Sequence, residues 1–585
     1  MNLADSAEAC LTENRTEDAK KLCRQALERD PRDYKALVLL SYILRIEGEY
    51  MESAEKAERA VALRPTMVEA YFQLALNMLA LGRFDVAAST LHRAIQLRPE
   101  QAVLHLNLGL AYEHLGRREL ALRCYREAAK LNPGDLQAHL ASISHLIVTE
   151  KFDRARTEIE AILRQIPSSP EANLTMAELC SAESGLAAAE PYIRKALKAD
   201  PANYKANAML GSRASELGNF SDAESHFHRS IEVEPNQGHA YLGLCQSKRL
   251  SEQDLALVEK MESIRDRSIM PPDESAAIRF ALAKAYDNLG RYEEAMQAYD
   301  EAHRFAYLGR FGQEPFQPDR YAEAIDAIVQ AFPAPVPNAQ VRNTASGKLP
   351  ILIVGMIRSG TTLTEQILSR HPRVGAAGEH LFWHRGAGTS QRQEWLAKHP
   401  EEIGELGENY IEELRRACPN TERVTDKLPG NYLRLGVVRS ALPEAKIIHC
   451  RRNPVDNALS IYFTPIKTSS AFSHTKASIA FAYRQYMRLM DHWRQALPPQ
   501  HFMEVQYEEL VENPEPIIRQ MLEFLELEWD EACLSPEDNA KEVKTASLWQ
   551  VRQPIYRTSV ERWRRYEPWL GELSQLIQDP SPSPA

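Results

Sequence analysis

Seven prolines recur at a constant interval of 34 residues: Pro31, Pro65, Pro99, Pro133, Pro167, Pro201 and Pro235. A single globular core imposes no such period. A stack of repeats does, because each unit buries its apolar face on its neighbours. In phase with the prolines run Gly48, Gly82, Gly116 and Gly218, with Glu150 and Ser184 at the two intervening positions. Small residues fall at Ala26, Ala60, Ala94, Ala128 and Ala196, where helices must approach closely. Each unit therefore reads as two amphipathic helices joined at the glycine position, with the proline closing the second. After Pro235 the phase breaks. Residues 250–260 are helical but lack the glycine, Met270-Pro-Pro-Asp-Glu274 restarts the pattern, and the last unit centres on Gly290. The first half is predicted to be an α-solenoid.

Units such as AYEHLGRRELALRCYREAAKLNP and AYDNLGRYEEAMQAYDEA resemble the tetratricopeptide repeat. That resemblance implies a concave groove for a protein or peptide partner; a dimerisation or spacing scaffold is the alternative. From Tyr307 to Leu349 the composition shifts, with Gly312, Pro315, Pro318, Pro333, Pro335 and Pro337 punctuating one helix over 319–331. The expected boundaries are a solenoid over 1–308, a linker with one helix over 309–348, a second domain over 349–577 and a frayed tail over 578–585. A proline-rich linker predicts few contacts between the halves.

The second domain reads as alternating elements. Strands are expected at 350–354, 422–426, 445–450 and 502–506. Helices are expected at 361–370, 400–417, 430–441, 454–463, 475–496 and from 514 onward. Such alternation predicts a parallel sheet wrapped by helices, with ligands at the carboxyl ends of the strands. Its pivot is Gly355-Met-Ile-Arg-Ser-Gly-Thr-Thr-Leu363, between an apolar strand and a helix. The two glycines have P-loop-like spacing, but Thr361 stands where the Walker lysine would be, and Arg358 supplies a positive charge inside the loop. A strand, a glycine-bounded turn and a helix N-terminus make an anion site from unpaired backbone N–H groups and the helix dipole. A second segment, Lys446 to Tyr462, runs from an apolar strand into Arg451-Arg452 and then a helix bearing Ser460. Arg452 offers a planar fork for a phosphate. Pairing of that arginine with Asp456 is the plain structural alternative.

Together, Arg358-Ser-Gly-Thr-Thr362 and the pair Arg452 and Ser460 resemble the sulfotransferase family, which binds 3′-phosphoadenosine 5′-phosphosulfate (PAPS) through two such elements. The resemblance implies an α + α/β chain: a tetratricopeptide-repeat α-solenoid followed by a P-loop-like parallel-sheet α/β sulfotransferase domain. Within the superfamily the chain looks most like protein-tyrosine sulfotransferases and repeat-fused bacterial sulfotransferases. By that resemblance Arg358, Ser359, Gly360, Thr361 and Thr362 would hold the 5′-phosphosulfate, and Arg452 with Ser460 the 3′-phosphate. Glu379 matches a glutamate base, Lys427 a lysine facing the sulfate, Ser547 a serine near the sulfuryl group and Tyr507 a tyrosine on the nucleotide. No metal is required, and 3′,5′-ADP would be the product. Two departures stand out: Thr464 and Gln553 occupy positions that are usually basic, although Arg552 and Arg557 lie nearby.

The chemistry asks for the same groups. Sulfuryl transfer to a hydroxyl needs a base for the proton and cations for the sulfuryl oxygens and the leaving phosphate. Glu379 is the leading base, with His380 and His384 as rivals; Lys427, Arg358 and Ser547 complete the catalytic set. The charged run from Arg557 to Pro568 reads either as a solvated helix face or as a lid carrying Arg552, Arg557 and Trp563.

Composition narrows the partners. A net charge of −11 gives no support for nucleic-acid binding through a globally basic surface. Eight scattered cysteines without a C-x-x-C pair fit reduced, packed thiols. The first residues lack the basic and apolar regions of a secretory signal, and no apolar run reaches membrane-spanning length. A cytoplasmic protein is expected, acting on a protein or peptide acceptor captured by the repeat groove, with a homodimer compatible. Three alternatives stay open at this point: a P-loop kinase, a scaffold whose second domain binds nucleotide without catalysis, and a sulfotransferase for a glycan or small molecule.

Overall fold

The computed structural model describes residues 3–13, 15–267, 270–311, 315–336, 348–466, 471–539 and 555–577. Ser547, Arg552, Gln553, residues 312–314 and 337–347 of the expected linker and the 578–585 tail lie outside the described residues.

The repeat half is a succession of helix pairs, from Leu3–Thr12 and Thr16–Arg29 to Pro272–Asn288 and Tyr292–Phe311. The second helices of the first seven pairs end at Arg29, Leu63, Leu97, Leu131, Gln165, Ala199 and Val233, each two residues before a periodic proline. Ala26, Ala60, Ala94, Ala128 and Ala196 are all buried, as their close-approach role requires. The turn within a unit needs a left-handed residue. Glu150 takes that conformation (φ +57°) where the glycine is missing, and at Ser184 the helix runs on so that Gly185 turns instead (φ +90°).

The expectation of few contacts between the halves is not met. Small separate clusters line the early repeats, but the cluster that begins at Ala214 runs without interruption to Leu576 in the second domain. The helix Pro318–Ala331 is not a tether: Pro318 occupies its first turn, and it buries Ile325 and Ile328. Phe332, just beyond it, is buried against Gly436, where an added Cβ would lie 2.2 Å from its ring. Its carbonyl meets His492 Nε2 at 2.8 Å. From the repeats, Asp300 accepts from Tyr462 Oη (2.5 Å) and pairs with Lys476 (3.0 Å), and the Tyr299 ring stacks on Phe463. Proline-rich composition here marks the ends of a packed helix and says nothing of its amphipathic face.

The second domain is built on five parallel strands: β1 (Pro350–Gly355), β2 (Val374–Ala376), β3 (Arg423–Asp426), β4 (Lys446–Arg451) and β5 (Phe502–Gln506). Their order is β2-β3-β1-β4-β5. Along β1, Ile351 and Ile353 face one core, with Ile448, Val505 and Ile518. Leu352 and Val354 face the other, which is continuous with the repeats. The helix expected at 430–441 is split into a 3-10 turn, Pro429–Arg434, and a helix, Leu435–Ala441, because Pro429 and Gly430 open it. No described helix is long and apolar enough to cross a membrane.

Candidate functional site

Every strand of the sheet delivers one of the described candidate groups at its carboxyl end. In spatial order they are Glu379 after β2, Lys427 after β3, the 356–360 loop after β1, Arg452 after β4 and Tyr507 after β5. Four strand spacings of about 4.8 Å stretch this row over roughly 19 Å. Order along the sheet edge thus separates a carboxylate–ammonium end from an arginine-rich end.

The arginine-rich end starts from the β1 loop. Asn457 Nδ2 donates to Ile357 O (3.0 Å) and so pins the loop to the helix Pro454–Tyr462. Gly360 is left-handed (φ +101°), and an added Cβ would sit 2.6 Å from the Tyr507 ring, so only glycine lets the loop pass. Arg358 is left-handed as well (φ +70°), a strained conformation for a side-chain-bearing residue. Ser359 is buried, and its Oγ has no hydrogen-bond partner among the described residues. The helix Thr361–Leu368 begins at once, with its N-terminal N–H groups facing the loop.

Arg358 Nε donates to Ser460 Oγ at 3.3 Å. Burial, reinforced by the neighbouring Arg452 charge, lowers the Arg358 pKa to about 10. Arg452 is 8% exposed; its Nη1 donates to Arg358 O (3.1 Å) and its Nη2 to Ser559 O (2.9 Å), while its Nε is buried without a partner among the described residues. Its guanidinium lies over the Tyr507 ring, 4.8 Å from the centroid. The alternative pairing with Asp456 gives way to another arrangement, in which Asp456 Oδ1 accepts from the Trp563 N–H at 2.8 Å. Two neighbouring arginines, a hydroxyl and an Nε left without partners among the described residues and a glycine cradle fit a ligand with more than one anionic group.

At the other end Lys427 Nζ donates to Glu379 Oε1 at 2.7 Å. Lys427 is 1% exposed and Glu379 44%, so the glutamate side chain reaches solvent while the lysine does not. Both histidine rivals are turned to protein partners. His380 Nε2 lies 3.3 Å from Glu413, and His384 Nδ1 meets Arg434 Nη2 at 3.0 Å. A guanidinium only donates, so His384 Nδ1 is the acceptor. Burial lowers the pKa of both imidazoles.

Sequence reasoning missed the supports of this end. Glu365, on the loop's own helix, accepts from Thr425 Oγ1 (3.1 Å) and the Gly378 backbone. Asp426 accepts from Tyr410 Oη (2.7 Å), Asn431 Nδ2 (3.3 Å) and the His380 backbone. Two buried carboxyl groups thus grip the residues on either side of Glu379. Burial raises the pKa of both, that of Asp426 to about 7. The available signal was position alone: Glu365 one turn after Thr361, and Asp426 directly before Lys427. Of the expected lid residues, Trp563 is buried against the site, whereas Arg557 is exposed and donates to Glu512 O (2.6 Å). Among the described residues no group of three His, Cys, Asp or Glu side chains could hold a metal ion.

A sulfotransferase family model matches residues 350–531, and tetratricopeptide repeat models match residues 5–68, 72–135, 115–170 and 276–303. An uncharacterized protein of Aquifex aeolicus (strain VF5) is 28% identical over 419 residues, covering 68% of this chain and 54% of that one. A protein-tyrosine sulfotransferase of Drosophila melanogaster is 23% identical over 261 residues, 40% of this chain and 49% of its own. Protein-tyrosine sulfotransferase 1 of Danio rerio is 24% identical over 255 residues, 39% of this chain and 68% of its own. The chain spans about half the length of the first two relatives.

Proposed function

We propose that this chain, with its tetratricopeptide repeats and sulfotransferase domain, moves a sulfuryl group from PAPS to a hydroxyl of a protein or peptide acceptor, tyrosine among the candidates. The observation that carries the reading is the row along the sheet edge, an anion-binding cluster at one end and an exposed carboxylate at the other.

Arg452 and Ser460 would hold the 3′-phosphate; the N–H groups and hydroxyls of Ser359 to Thr362 would hold the 5′-phosphosulfate, with Arg358 between the two. Bound there, the nucleotide would supply an activated sulfuryl group. Tyr507 would orient Arg452 from below, as its ring does now. Lys427, drawn from Glu379, would donate toward the sulfuryl oxygens, and Glu379 would take up the acceptor's proton on its carboxylate. Ser547 and Arg552 complete the assignment on family resemblance. Among the repeats, a cleft of about 520 Å³ lined by Val68, Glu69, Phe72, Gln101 and Val103 supports the role of the solenoid in holding a peptide.

Two substitutions test the assignment. Arg452→Ala should weaken 3′,5′-ADP far more than 5′-AMP, which lacks the 3′-phosphate. Glu379→Gln should lower turnover by about 10²–10⁴-fold with little change in nucleotide affinity. Equal losses for both nucleotides, or a fully active Glu379→Gln with an inactive His384→Asn, would overturn the respective role.

A further inference from the structure

The C-terminal segment over residues 555–577 crosses from the nucleotide end of the sheet to the repeats. At the sheet, Ser559 O accepts from Arg452 Nη2 (2.9 Å) and Ser559 Oγ shares a hydrogen bond with Tyr507 Oη (2.7 Å). Trp563 N–H, further along, holds Asp456 on the Ser460 helix. At the repeats, both carboxylate oxygens of Asp287 are taken by the same segment. Arg562 Nη2 donates to Oδ2 at 2.6 Å and Tyr566 Oη to Oδ1 at 2.6 Å.

Asp287 lies near the end of the repeat helix Pro272–Asn288, with a side chain 9% exposed. Burial alone would raise its pKa, yet Arg562 and then Lys284 outweigh burial and hold it below the usual carboxylate range. Tyr566 is fully buried, its ring 4.7 Å from that of Phe463 and 5.1 Å from that of Tyr292. Only two residues, Val560 and Glu561, separate Ser559 from Arg562, a span too short to absorb a displacement of either end.

We propose that Asp287, a residue of the repeat half, is a positioning residue for the 3′-phosphate site, acting through Arg562, Tyr566 and the Ser559 carbonyl that orients Arg452. The inference rests on the nucleotide reading given above. Asp287 touches no ligand. Its loss frees the strap, and the strap fixes the plane of the Arg452 fork and the tether of the Tyr507 ring beneath it. At the 5′-end of the site the β1 loop is held by Asn457 Nδ2 on Ile357 O, a hydrogen bond that involves neither Arg452 nor Ser559.

The test is calorimetric titration of the full-length chain with 3′,5′-ADP and with 5′-AMP. Asp287→Asn keeps the shape and removes the charge; Tyr566→Phe removes one hydrogen bond and keeps the buried ring. Asp287→Asn should weaken 3′,5′-ADP by about tenfold, the size of one lost charge-assisted hydrogen bond, and 5′-AMP by less than about twofold. Tyr566→Phe should act in the same direction by about threefold. Should Asp287→Asn fail to fold, Tyr566→Phe and the wild-type chain decide the matter. By reciprocity, 3′,5′-ADP should slow amide exchange at the end of the Pro272–Asn288 helix, and 5′-AMP should not. Wild-type 3′,5′-ADP affinity in folded variants, equal losses for both nucleotides, or unchanged exchange would each overturn the inference. Failure of the wild-type chain to bind either nucleotide would instead overturn the reading beneath it.

Discussion

The early repeats and the last repeats share one pattern and differ in what they bury. In the early ones, helices of adjoining pairs meet in clusters confined to the repeats, such as Leu37, Ala60 and Ala70. In the last ones the same helix geometry feeds a core that also holds Leu352, Val354, Trp493 and Tyr566 of the sulfotransferase domain. A periodic sequence therefore specifies a stack without specifying where the stack ends as an independent unit. The family match and the shared apolar cluster begin at different places: the first near residue 350, the second within the solenoid near Ala214.

Truncation breaks the comparison most directly. A chain beginning near Asn338 exposes the apolar face that Phe332, Tyr299 and Ile328 cover and should be insoluble, contrary to what a proline-rich linker predicts. A chain lacking residues 1–65 loses only early repeats and should remain folded with unchanged 3′,5′-ADP affinity. Size-exclusion chromatography and calorimetry on the two truncations check both statements.

Single truncations of core side chains sharpen it. Ile159→Ala in an early cluster should cost about 2–5 kcal/mol, and Phe332→Ala at the junction about 3–5 kcal/mol. Their costs are similar and their consequences should differ. The early lesion should leave nucleotide affinity intact, while the junction lesion should weaken it, because Phe332 packs on the Gly436 helix beneath the sheet. Equal effects on affinity would mean that the two regions are not distinct.

The smallest effect is one of pH. Asp426 has a pKa raised to about 7, so the folded state favours its neutral form. The stability this contributes is full below the unfolded value of about 3.9 and is lost as pH rises through about 7. Asp426→Asn should flatten that decline in the melting of the second domain and leave melting of the early repeats unchanged. Thermal scans from pH 5 to pH 8 make the comparison.

Much of this was legible in the sequence, for a physical reason in each case. The repeat is written as a period, and Pro31 to Pro235 mark it without any tertiary information. Arg358, Glu379, Lys427, Arg452 and Tyr507 lie where strands give way to loops or helices, and in a parallel sheet those places share one edge. The junction was not legible. Phe332 meets Gly436 across about a hundred residues, and no local spacing encodes that contact. Glu365 and Asp426 were overlooked because a carboxylate on a helix or strand end ordinarily reads as surface. Their burial emerges only when β2, β3 and the loop helix converge.

The central claim is that the arginine-rich end of the sheet recognises a 3′-phosphate. Calorimetry of the full-length chain with 3′,5′-ADP, 5′-AMP and ADP, in the absence and presence of Mg²⁺, tests it most directly. The account predicts that 3′,5′-ADP binds at least about tenfold more tightly than 5′-AMP, one charge-assisted contact or more, and does so without Mg²⁺. Equal affinity for 3′,5′-ADP and 5′-AMP, or a Mg²⁺-dependent preference for ADP, would contradict it.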